Sequence, residues 1–406
     1  MNYNFDEIID RKNTNSENVD GWRPYIFKCG PEKVFPYADD EFIRMWVADM
    51  EFAVAPEIRQ AIIDRVNRKI LGYTIVSDQG YYDALLKWCK DRYDWTFEKE
   101  ELVFSPGVIP ALYQLVEDLV AKDEKVLTMT PAYGFFLHAC EYNGVELVKS
   151  PLKKSEGRFE IDFEDFAQKA ADPKVRLLML CNPHNPSGRI WTRQELEKIA
   201  DIAAKNDLWI VSDEIHCDLI RTGLSHIPMG KIMPDYKKLI TTISASKTFN
   251  LAGLVGSYHI IYNKYLRDRV VAKSSKPHYN EMNVLSMHAL IGAYKPEGYE
   301  WVDELRQVLT GNVEFACNYI KEHFRGVEVS RPQGTYMLFL DCTKWCEEHG
   351  RSIDEVQKAG WDVGVAWQDG RMFLHPCAIR MNLALPLSRV QEAFDRLDKY
   401  VFNQIK

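Results

Sequence analysis

From Leu102 onward, short apolar runs alternate with amphipathic helical stretches, and each run stops at a cluster of Gly, Pro, Asn, Ser or Asp. Residues 102–104 lead into Ser105-Pro106-Gly107-Val108-Ile109, with Pro110 expected at the first helical position. Leu112, Leu115, Val116, Leu119 and Val120 then fall on one helical face. Residues 125–129 form the next run, ending before Tyr133, and residues 175–181 are almost continuously apolar, as a strand covered on both faces requires. That run ends at Asn182-Pro-His-Asn185-Pro-Ser187-Gly188, where two prolines and a glycine forbid regular structure. Residues 208–212 close on Asp213, and residues 238–243 close on Ser244. Strands alternating with helices imply an α/β fold with a mostly parallel sheet flanked by helices.

The flanking segments differ in character. Residues 1–48 read as an N-terminal arm, rich in Trp22, Tyr25, Phe27 and Phe35, that packs on the body or on a partner subunit and supplies part of a smaller domain. Residues 49–285 carry the alternating pattern of a large domain, including a helix opened by Pro56 and running to about Lys69. Residues 286–406 change to long amphipathic helices and a shorter α+β segment, expected as a small C-terminal domain. Thr192/Glu195 and Ser352/Glu355 read as capping boxes, the second helix stopping at Gly360, and Ser388/Gln391 as the cap of the last helix.

Among 406 residues the formal net charge is -8, which argues against nucleic acid and anionic membrane as partners and favours small molecules. Acidic residues in the first ten positions do not suit a signal peptide, and no stretch is long and apolar enough to span a bilayer. Nine scattered cysteines fit a reducing compartment, so a cytoplasmic protein is expected. Cys342, Cys346 and His349 lack a second ligand pair at zinc spacing, and no metal is expected.

Ligands of an open parallel sheet bind beyond the carboxyl ends of its strands. Gly107, Tyr133, Asn185, Asp213 and Lys247 all follow expected strands at that one edge. All but Tyr133 have two readings. Gly107 before Val108 and Ile109 is a plain turn or an anion site made of helix-start N–H groups. Asp213 is a helix cap or a carboxylate held against a cation, and Asn185 caps its loop or bonds a ring oxygen. Lys247, in Ser244-Ala-Ser246-Lys247-Thr-Phe-Asn-Leu-Ala-Gly253, is a solvated loop residue or an amine that forms a Schiff base with a carbonyl cofactor whose phosphate meets Ser244 and Ser246. No dinucleotide, P-loop or Gly-x-Ser-x-Gly motif competes.

Asn182-Pro-His-Asn-Pro-Ser-Gly188, Ser212-Asp-Glu-Ile-His216-Cys-Asp-Leu and the Ser244–Gly253 stretch, in this order, resemble the class I/II aminotransferases, a group of fold type I pyridoxal-phosphate enzymes. Met45-Trp-Val-Ala-Asp-Met-Glu-Phe52 and Asp-Glu-Ile-His216 resemble the cystathionine β-lyase, or carbon-sulfur lyase, branch. The resemblance, spanning about residues 45–385, implies a pyridoxal 5'-phosphate cofactor with Lys247 as its Schiff-base lysine and Asp213 beside the pyridine nitrogen. It implies Asn185 on the phenolic oxygen and Tyr133 stacked on the ring. Gly107, Val108, Ile109 and Ser244 would hold the phosphate together with Tyr73 from a second subunit, so a homodimer with shared sites is implied. Arg380 would grip the substrate α-carboxylate.

The chain departs from the aminotransferase pattern in having His216 for a tyrosine, Val255 for a phosphate-binding arginine, Glu51 for aspartate and Ser187 for threonine. The first two point toward the lyase branch. The implied activity is β-elimination of cystathionine or related S-substituted cysteines to thiol, pyruvate and ammonia. An aminotransferase and a non-catalytic cofactor-binding regulator are the competing expectations.

Overall fold

The computed structural model describes residues 1–75, 79–155, 157–254 and 256–403. Strand Val175–Cys181 is buried at six of its seven positions and lies inside a seven-stranded sheet, where an uninterrupted apolar run belongs. The order across the sheet is Leu102–Ser105, Ser257–Ile261, Leu239–Ile243, Trp209–Asp213, Val175–Cys181, Lys125–Thr130 and Glu146–Pro151. Every pairing is parallel except those of Ser257–Ile261, antiparallel to both neighbours. Its reversed direction brings its first residue to the edge where the other strands end.

Side chains alternate across the sheet. Leu177, Met179, Val211 and Ile240 join the core under helices Val108–Leu119 and Gly134–Asn143. Leu178, Leu180, Ile210 and Leu239 face the larger core under helix Arg193–Lys205 and helix Val284–Ala293. Each Leu or Val so buried contributes about 1.5–3 kcal/mol.

A second core surrounds an antiparallel sheet ordered Glu328–Val329, Met337–Asp341, Ala378–Asn382 and Gln368–Asp369. Helix Pro296–His323 belongs to both bodies: Trp301, Val302, Leu305 and Leu309 lie in the large core, Val313, Ala316 and Ile320 in the small one. Helix Val284–Ala293 also packs into the large core, so packing continuity runs past residue 285. The arm is fastened near both of its ends. Phe5 packs edge-on against Phe52, and Ile43–Arg44 pairs with Val365–Ala366 of the small body.

Several boundaries differ from the periodicity. The helix expected from Pro110 starts at Val108 with Gly107 as its N-cap, and the one expected to reach Lys69 ends at Val66. Thr192/Glu195 and Ser352/Glu355 form capping boxes, but the helix after Ser352 runs to Asp362, through Gly360, which is pressed against the Trp367 ring. Ser388 does not cap the last helix. That helix, Leu387–Leu397, starts behind Pro386, whose fixed φ suits the entry, leaving Ser388 inside the first turn.

Candidate active site

Five strand ends converge on a cavity of about 320 Å³ at the carboxyl edge of the large sheet. Gly107, Tyr133, Asn185, Asp213, His216 and Lys247 all line it. Gly107 has no side chain to cap its helix, and Gly107, Val108 and Ile109 line the cavity, so the positive end of that helix lies at the cavity.

Asp213 ends its strand with 2% of its surface exposed, and its Oδ1 accepts the Ile215 N–H at 3.2 Å. Burial pushes the carboxyl up to about 7 despite that bond. A cation placed against it would restore the ionised form.

Lys247 stands on the single turn Ala245–Thr248, whose start is fixed by Ser244 Oγ accepting the Ser246 N–H at 3.1 Å. Its Nζ donates to the Ala48 carbonyl at 2.7 Å. Desolvation lowers the ammonium to about 8, against an opposing influence of Asp49. An amine in that range carries an appreciable neutral fraction near neutrality, which a nucleophile or base requires.

His216 is buried, and desolvation, with Lys247 and Arg380 nearby, lowers its imidazolium to about 3, so the ring is neutral. Its Nδ1 is buried with no hydrogen-bond partner. Asn185 is held by the loop closing through Gly188, whose φ of +70° and contact with Pro332 leave no room for a Cβ. The Gly188 N–H donates to the His184 carbonyl at 2.7 Å.

Arg380 reaches the site from the small sheet. Its Nη2 donates to the Trp46 carbonyl at 2.9 Å and to Gln368 Oε1, and its Nη1 lies 3.4 Å from Asn185 Oδ1. Its guanidinium covers the Phe373 ring at 4.3 Å. It stands behind Asn185 and is not part of the cavity wall.

Two expected residues stand apart. Tyr73 is fully exposed and does not line the cavity of its own chain. Ser244 lines the cavity, but its Oγ lies 2.7 Å from the Gly256 carbonyl and 3.0 Å from Ser246 Oγ, so its one proton is used within the protein. Val255 lies outside the described residues.

Sequence reasoning missed Ala48, Asp49 and Tyr336. The Ala48 carbonyl accepts both Lys247 Nζ and, at 2.8 Å, Tyr336 Oη. The only available signal was the 45–52 stretch as a block, because a backbone acceptor leaves no mark on residue type.

A model of the family described as aminotransferase class I and II matches residues 41–397, nearly the whole chain. The chain belongs to the class I and II aminotransferase family. It is 32% identical to cystathionine beta-lyase PatB of Bacillus subtilis (strain 168), with 97% of this chain and 98% of that one covered. The structure of the PLP-bound C-S lyase from Staphylococcus hominis superposes with a TM-score of 0.89 at 39% identity, covering 98% of both chains. Cystalysin from Treponema denticola, described as containing a pyridoxal 5'-phosphate cofactor, gives a TM-score of 0.87 at 29% identity over 98% of both chains. The fold of this family member is therefore that of fold type I pyridoxal-phosphate enzymes. Among the described residues no helix is long and apolar enough to cross a membrane.

Proposed function

We propose that the protein is a pyridoxal 5'-phosphate-dependent carbon-sulfur lyase that cleaves S-substituted cysteines such as cystathionine into thiol, pyruvate and ammonia. The observation that carries this reading is that Lys247 and Asp213, 34 positions apart in sequence, line one cavity with unlike protonation demands. One is a buried acid that needs a cation, the other a buried amine that sheds its proton easily.

The donor set fits the cofactor. The helix start at Gly107, Val108 and Ile109 suits a phosphate, Asp213 a protonated ring nitrogen, and Asn185 a phenolic oxygen. The unpartnered His216 Nδ1 leaves one further polar atom without a partner inside the protein. Pyridoxal phosphate, when bound, supplies an electron sink conjugated to the substrate α-carbon.

Every other task falls to this chain. Lys247 Nζ would hold the cofactor and, when free, would take the substrate's α-proton. Asp213 would favour the protonated form of the cofactor's ring nitrogen. Arg380, held by Trp46 and Gln368 beside the cavity with its Nε unpartnered, would bind the α-carboxylate and so orient the α-carbon. Transfer of the α-proton to Lys247 Nζ leaves an electron pair that expels the β-thiolate, and water then releases pyruvate and ammonia. His216, being neutral, adds polarity without charge. In this reading the protein is a homodimer and cytoplasmic, the exposed Tyr73 completes the phosphate site of a second copy, and the large domain holds the cofactor.

Purified protein incubated with cystathionine is expected to release thiol and pyruvate in equal amounts with no keto-acid acceptor present. A strict need for an acceptor would make it an aminotransferase, and binding of cofactor with no turnover would make it a regulator. Lys247→Ala is expected to abolish turnover, and a normal rate in that variant overturns the assignment.

A further inference from the structure

The N-terminal arm meets the site where it ends: the Trp46 carbonyl holds Arg380 and Ala48 lines the cavity. Asp49 follows Ala48, the residue whose carbonyl holds Lys247 Nζ at 2.7 Å. Its Oδ2 accepts from Arg11 Nη2 at 2.6 Å and its Oδ1 from Asn18 Nδ2 at 3.1 Å. Arg11 and Asn18 both belong to the arm, and Asn18 is buried. From the other side, Asn382 Nδ2 donates to the Val47 and Asp49 carbonyls at 2.8 and 2.5 Å, and Asn250 Oδ1 accepts the Met50 N–H at 2.9 Å. Residues 47–50 are thus held on both flanks, and the Ala48 carbonyl is left aimed at the amine.

We infer that Asp49, clamped by Arg11 and Asn18, is a positioning residue that keeps the Ala48 carbonyl on Lys247 Nζ and sets a negative charge beside that amine. This rests on the reading of Lys247 as the reactive amine. The anionic groups acting on Lys247 are Asp49, Asp213 and Glu17, the cationic one is Arg380, and His216 beside it is neutral. Among these charges the Asp49 influence is the largest, ahead of Asp213. Asp49 itself faces Arg11, Asn18 and the carboxyl of Glu51. Charge at Arg11 therefore acts on Lys247 with the opposite sign to charge at Asp49.

The test is competitive acylation of the full-length, cofactor-free chain with trace acetic anhydride across pH 6–10. Labelling of Lys247 is read by mass spectrometry against the exposed Lys264. Asp49→Asn removes the anion and should shift the Lys247 titration to lower pH. An amine titrating near 8 is about one-tenth neutral at pH 7, and a fall of one unit makes it about half neutral, so labelling rises about fivefold. Arg11→Gln leaves Asp49 unopposed and should slow labelling about threefold, for half a unit upward. A purely structural clamp would loosen in both variants and speed labelling in both. Shifts of the same sign, or no shift in either, overturn the proposal. If Asp49→Asn does not fold, Arg11→Gln decides alone: slower labelling supports it, unchanged or faster labelling overturns it. Borohydride fixation of cofactor onto Lys247 in the unmodified protein tests the underlying reading separately.

Discussion

Arg380 Nη1 lies 3.4 Å from Asn185 Oδ1 across 195 residues of chain, tying the last strand of the small sheet to the loop after Cys181 in the large one. Any movement between the two bodies is therefore felt at one hydrogen bond inside the site. The guanidinium spends its other contacts on the Trp46 carbonyl, Gln368 and the Phe373 face, all of which fix its plane.

Arg380→Lys should keep the charge and lose the fork. A point-charge ammonium cannot serve Asn185, Trp46 and a carboxylate together. The expected result is a KM for the amino acid raised about 10- to 100-fold, equivalent to about 1.4–2.8 kcal/mol, with a smaller fall in kcat. Steady-state kinetics on cystathionine checks it.

Asp213→Asn should stabilise the cofactor-free protein while crippling the loaded one. The folded carboxyl titrates at about 7 and the unfolded one near 3.8, so the native state binds more protons between those values. Its contribution is full below about pH 4 and is lost as pH rises through 7. The variant escapes that loss, by up to about 4 kcal/mol at pH 8 and by nothing at pH 4. Urea unfolding at both pH values measures it.

Tyr73→Ala and Lys247→Ala should complement each other if Tyr73 serves the partner's cavity. Neither homodimer would turn over appreciably, whereas a randomised mixture places both lesions in one site of half the dimers. Recovery of about a quarter of the unmodified activity is expected for such a two-fold assembly. An assay after dissociation and remixing of equal amounts gives the value.

Thr192→Ala should cost about 1 kcal/mol, because its hydroxyl accepts the Glu195 N–H at 3.2 Å. Ser388→Ala should stay within about 0.5 kcal/mol, since no cap bond exists there to lose. Thermal denaturation of both variants separates a real cap from a matching pattern.

Period and punctuation were enough to read the central parallel strands, their carboxyl ends and the residues that follow them. Gly107, Tyr133, Asn185, Asp213 and Lys247 each sit where a local apolar run stops, and in a parallel sheet all such stops share one edge. Strand Ser257–Ile261 went unread because the polar Ser257 and His259 interrupt its apolar run although both are buried, and its reversed direction is not written in residue type. Glu146–Pro151, a half-exposed edge strand, lacks the apolar continuity of the centre.

The amino-acid sequence determined which acids, amines and glycines follow the strands, because residue type and local pattern are properties of the chain itself. Only the tertiary structure decided how those groups are charged and who holds them. Desolvation of Asp213 and Lys247 depends on everything packed around them, and the Ala48 carbonyl becomes an acceptor for Lys247 only when 199 residues of intervening chain bring it there. Long-range backbone contacts of that kind are set by the closure of two cores, which no stretch of residues expresses alone.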